Sequence, residues 1–122
     1  MTTEVWDITQ KALIDAGIDT YAPAQKTGDC KSPYAVLKDE GSAAVLGYSS
    51  EYHYYTLLCY VPRDSYLELG DFVSRAKGVM SAEPIYPMLK PTGVETPAFL
   101  DDSFNAYMIS IQYRNCVRNI HV

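Results

Sequence analysis

A chain of 122 residues makes one domain, long enough to bury a core without disulfide or metal staples. Fifteen acids against ten bases leave a net charge of −5, which argues against binding a phosphate backbone. No apolar run approaches the ~20 residues needed to span a bilayer, and eleven tyrosines against three phenylalanines point to half-wet sites and contacts between proteins.

Cys30, Cys59 and Cys116 are odd in number, far apart and without a CxxC, so they read as small reduced side chains rather than a disulfide or zinc set. The first ten residues, MTTEVWDITQ, lack a basic then apolar leader, and the expected product is a soluble protein made in the cytoplasm.

Thr2 or Thr3 can cap a first helix in which Val5, Ile8, Ala12, Leu13 and Ala16 share a face, and Gly17 stops it. Residues 18–21 (IDTY) form a short strand ended by Pro23, and residues 25–32 (QKTGDCKS) a polar loop. Pro33 introduces a second strand over 34–39 (YAVLKD). Asp39, Glu40 and Gly41 then mark a turn, and SAAVLGYSS at 42–50 reads as a weakly ordered hairpin arm.

Residues 52–61, YHYYTLLCYV, are almost all aromatic or aliphatic and give the central strand. Tyr52, Tyr54, Leu58 and Tyr60 fall on one side and Tyr55, Leu57, Cys59 and Val61 on the other, so both faces need cover. Pro62 ends the ladder, Asp64 or Ser65 is placed to cap, and Leu69, Phe72, Val73, Ala76 and Met80 draw one apolar stripe along a second helix.

Glu83 and Pro84 break the chain, residues 85–90 (IYPMLK) read as an extended edge segment, and 91–102 as a long loop in which Phe99 and Leu100 must bury somewhere. Over 106–114 the alternation is clean, with Tyr107, Ile109, Ile111 and Tyr113 facing the core. The expected fold is α+β: a single-domain, two-layer sandwich with a mostly antiparallel sheet and two helices on one face. The other face would then be open, and an uncovered apolar sheet face is usually an interface.

Residues that carry chemistry are sparse, and no cofactor or metal is expected. His53 lies within a strand and His121 near the end, neither beside a nucleophile elbow, so both read as structural. Asp101 and Asp102 form a carboxylate pair that reads as solvated loop acids, and Lys90, Pro91, Thr92 and Gly93 read as a turn rather than an anion cradle.

Three stretches carry a resemblance: 17–41 (GIDTYAPAQKTGDCKSPYAVLKDEG), 58–73 (LCYVPRDSYLELGDFV) and 86–114 (YPMLKPTGVETPAFLDDSFNAYMISIQYR). They are similar to the small tail-terminator, or tail-completion, proteins of tailed bacteriophages, above all the "minor capsid" type of Gram-positive phages and phage-like particles. The resemblance covers nearly the whole chain and implies a non-enzymatic virion component of the tail or neck, assembled in the host cytoplasm. It implies a homo-oligomeric, typically hexameric, ring that caps the head-proximal end of the tail tube. That ring would stop polymerisation of the tube protein and meet the head-tail connector or stopper, with DNA only passing through its lumen and no membrane contact.

Tyr48 on the arm and Phe99, Leu100 and Phe104 on the late loop are the residues expected at such protein contacts, although each can instead fold back onto its own core. The competing readings are a connector or stopper subunit of the neck, and a small α+β enzyme or ligand-binding domain using Cys59, His53 or the Asp101 and Asp102 pair.

Overall fold

The strongest pattern in the sequence becomes the centre of the structure, a computed structural model that describes residues 4–44 and 50–118. Two strands of thirteen residues, β3 (Ser50–Pro62) and β6 (Ala106–Arg118), pair antiparallel along their whole length. Strand β2 (Tyr34–Ala44) flanks β3, and the two-residue β1 (Thr20–Tyr21) adds to β2 as the one parallel pair. Strands β4 (Lys90–Glu95) and β5 (Phe99–Asp101) both lie against β6, giving a six-stranded, mostly antiparallel sheet in the order β1-β2-β3-β6-β4.

Helices α1 (Glu4–Asp15) and α2 (Leu69–Met80) cover one face of this sheet. Tyr55, Leu57, Cys59 and Val61 of β3 pack there with Ala35 and Leu37 of β2, Ile111 and Tyr113 of β6, and all five stripe residues of α2. The α+β sandwich with both helices on one face is therefore the fold. On α1, Leu13 is fully buried and Val5 and Ala12 pack partly, while Ala16 is exposed. Its possible caps Thr2 and Thr3 lie outside the described residues. The Trp6 indole N–H donates to the Leu37 carbonyl at 2.7 Å and ties α1 to β2. Gly17 (φ 88°) takes the left-handed turn that lets Ile18 N–H reach the Leu13 carbonyl at 2.9 Å.

Four boundaries differ from those read in the sequence. At 39–41 there is no turn: Asp39 pairs with Tyr55 and Gly41 with Tyr54, so Glu40 is the extra residue of a β-bulge and the strand runs on to Ala44. The Asp-Glu-Gly signal was that of the bulge, whose Gly41 has φ 88°. The residues 42–44 expected in a loose arm are thus paired strand.

The second helix starts late. A 3₁₀ segment, Arg63–Glu68, kinks at Ser65, and the cap position of α2 falls on Glu68, so neither Asp64 nor Ser65 caps it. Of residues 85–90, only Lys90 is extended, as the first residue of β4. Ile85 and Leu89 plug the core at 0% exposure from a run of turns, with Leu89 N–H bonded to the Ile85 carbonyl at 2.8 Å. The edge strands lie instead within the supposed loop, as β4 and β5. Pro91 is tolerated there because β4 is an edge strand. Finally, β6 continues past Arg114 to Arg118.

The second face of the sheet is only half open. At one end Cys30, Tyr34, Val36, Tyr60, Ala106 and Met108 form a smaller core with Tyr21, Leu58 and Phe104 packed on it. The chain's own loops close this end, held where Cys30 N–H meets the Phe104 carbonyl at 2.7 Å. Tyr34 and Tyr60 stack at 5.0 Å, and the edge of Phe104 meets Tyr60 at 5.6 Å. At the opposite end, Tyr52, Tyr54 and Thr56 stay partly exposed. The expected open face is corrected to that half.

Candidate interaction surface

The sheet outruns its helices. Tyr55 of β3 and Tyr113 of β6 are the last fully buried residues of the main core toward one end, and they pair with each other. Beyond them β3 carries residues 50–54, β6 carries 114–118 and β2 carries 41–44, all in one continuous ladder. Five residues of strand rise about 16 Å, so this three-stranded extension runs on past the last buried layer of the main core, with the turn at Pro84 to Met88 beside it at Tyr52 and Asn115.

The face of the extension away from the helices carries Tyr52, Tyr54 and Arg114. The two rings meet edge to face at 6.3 Å, and the Arg114 guanidinium lies 4.3 Å from the centre of the Tyr52 ring. Such a contact fixes the long arginine side chain at low entropic cost and leaves its outward donors for a partner. Tyrosine and arginine are the residue types that concentrate binding energy at protein interfaces. A cleft of about 610 Å³ beside the patch is lined by Tyr52, Met88, Lys90, Arg114 and Cys116.

The opposite face holds a hydrogen-bonded chain. The Ser42 hydroxyl lies 2.8 Å from His53 Nδ1, and His53 Nε2 lies 2.6 Å from Asp39 Oδ1, an ion pair when the imidazole is protonated. Serine, imidazole and carboxylate in sequence are the parts of a nucleophilic triad, but the surroundings do not complete one. The Gly41 amide points to Asp39 Oδ1 at 2.9 Å rather than toward Ser42 Oγ, and none of the three residues lines any of the four principal clefts. What the chain does is tie the bulge of β2 to β3, with the Tyr55 ring stacked on His53 at 4.9 Å. Sequence reading placed His53 in a strand without finding its partners, because they follow from the β2–β3 register.

Of the residues expected at protein contacts, three fall within the described residues, and they are placed differently. Tyr48 lies outside the described residues. Phe104 folds back onto its own subunit in the smaller core, while Phe99 on β5 remains 43% exposed and Leu100 is half-buried. Strand β5 pairs with β6 at Ala106 to Met108, the end opposite Arg114. Phe99 and Leu100 therefore lie along the same side of β6 as β4 but at its far end from Arg114. The residues missed were Arg114 and the pairing of Tyr52 with Tyr54 as one patch; the alternation had already put them on a single face, and only the length of the extension was hidden.

The groups weighed for catalysis are dispersed. Cys59 is completely buried in the main core, and desolvation pushes its thiol up to about 12, far from a usable thiolate. Burial likewise raises Cys30. Asp101 Oδ1 accepts the Ser103 amide at 3.0 Å, so it braces a turn, while Asp102 is exposed. Among the described residues no group of three or more His, Cys, Asp or Glu is placed to hold a metal ion, and no helix is long and apolar enough to cross a membrane. A cleft of about 800 Å³ between α1 and the end of α2 has an apolar floor of Ile8, Ala12 and Val79 under a rim of Lys11, Asp15, Arg75 and Glu83.

No family model matches the chain, and no curated protein matches it.

Proposed function

We infer that the protein is a structural subunit of a phage-type tail, a tail terminator that assembles into a ring on the head-proximal end of the tail tube. In that role it stops addition of tube protein and presents a joining surface to the head-tail connector or stopper. The resemblance of residues 17–41, 58–73 and 86–114 supplies the family, and one observation in the structure supports the role. A sheet that projects past its own helix layer, with an arginine stacked on tyrosine on the projecting face, has surface suited to copies of itself and to neighbours.

This reading gives the chain no catalytic residue, no cofactor and no membrane contact, and places it in the tail or neck of a particle assembled in the host cytoplasm. A net charge of −5 suits a lumen that DNA traverses without sticking. The test is electron microscopy of the purified protein alone and mixed with its tube protein. Rings in the first sample and shortened tubes capped at one end in the second are expected. Tubes of unaltered length, with the protein bound to the connector alone, would make it a stopper instead.

A further inference from the structure

Two edges of the extension, unpaired by any strand among the described residues, match each other. We propose that residues 115–118 of β6 take residues 41–44 of β2 from a second copy of this chain as a parallel strand pair. On β2, β1 pairs only with Ala35 and Val36, and the Leu37 carbonyl is taken by Trp6. Farther along, no strand among the described residues pairs with its outer edge. On β6, β4 reaches no farther than Arg114, after which the Asn115 side chain turns to the Met88 carbonyl at 2.8 Å. An unpaired edge is a row of backbone donors and acceptors ready for another strand.

Sequence at the two edges narrows the match. Lys38, Asp39 and Glu40 put charges on β2, and the bulge at Glu40 breaks its line, so that stretch is blunted against pairing. From Gly41 to Ala44 the side chains are small and uncharged. The edges are also level: Gly41, Tyr54 and Arg114 align across the ladder, as do Ala43, Tyr52 and Cys116. Because β2 and β6 are both antiparallel to β3, they run the same way. A neighbour can therefore dock edge to edge without a large slide along the strands. Each copy offers one edge of each kind, so the contact is head-to-tail and either propagates or closes. Closure into a ring rests on the terminator reading; the strand pairing does not.

Cys116 supplies the test, since it is the one exposed cysteine of three and sits on the proposed edge. Within one subunit Ala43 and Cys116 are two strand intervals apart, about 9.5 Å, beyond the roughly 7 Å that a disulfide can bridge. Under mild oxidation Ala43→Cys should give a ladder of covalent dimers, trimers and larger species on denaturing gels, and the double variant Ala43→Cys with Cys116→Ser should give none. A covalent dimer that survives Cys116→Ser would mean a two-fold β2–β2 contact and overturn the proposal. Rings seen by light scattering without cross-links would overturn the edge pairing while leaving the terminator reading intact. A monomer at every concentration would overturn the pairing in the free protein.

Discussion

The helix-covered end of the sheet and its half-covered extension are built from the same two long strands, yet they solve different problems. In the covered end β3 places Leu57, Cys59 and Val61 at 0% exposure under α2, and each face is closed by residues of the same chain. In the extension the same strand carries Tyr52, His53 and Tyr54, all partly exposed and all with polar tips. Apolar side chains are used where water is excluded by the fold itself, and amphipathic ones where water stays in contact. On the proposed function the difference separates stability from association, and each region should respond to a different measurement.

The largest effect belongs to the covered end. Leu57 is fully buried between β2, β6 and the helices, so Leu57→Ala should cost about 2–5 kcal/mol through lost transfer energy and the cavity left behind. For a domain of this size that is a fall in melting temperature of roughly 10 °C or more. Thermal denaturation followed by circular dichroism reads it. A shift of a degree or two would mean that the core relaxes around the gap and that the covered end is less closely packed than its burial indicates.

An intermediate effect tests the boundary between the two regimes. Phe104→Ala should destabilise by about 1–3 kcal/mol, because its ring seals the smaller core against Tyr60 while remaining partly exposed. Phe99→Ala, at an exposed position on the short strand β5, should stay within about 0.5 kcal/mol. Chemical denaturation of the two variants side by side gives the comparison. Equal losses would place Phe99 in the fold as well, and a larger loss for Phe99 would reverse the assignment.

Much of this division was legible in the sequence. The five-residue stripe of α2 and the alternation of β6 fixed which side chains face the helices, since both depend only on local periodicity. The bulge at Glu40 and the strands β4 and β5 were not legible. Gly41 and Gly93 fit turns and bulges equally well, and the choice is made by a partner strand distant in sequence. The loops over the second face were hidden for the same reason, because Cys30 meets Phe104 across more than seventy residues. The chain Asp39–His53–Ser42 likewise exists only once the β2–β3 register is set. Local pattern reported faces; long-range pairing decided edges, and the proposed contact surface lies at the edges.

The smallest effect on stability should accompany the clearest effect on assembly. Arg114 lies over the Tyr52 ring at 4.3 Å and is partly exposed, so truncating it removes one cation–π contact of about 0.5–1 kcal/mol. Arg114→Ala should therefore lower the melting temperature of the monomer by no more than a few degrees. If the extension is the contact surface, the same change removes a desolvated anchor whose loss typically exceeds about 1.4 kcal/mol, a tenfold weakening of association. Sedimentation across a concentration series and a thermal melt of the same sample separate the two quantities. A variant that melts far below the parent would assign Arg114 to the fold, and one that assembles like the parent would move the contact surface elsewhere, toward the exposed edge at Phe99.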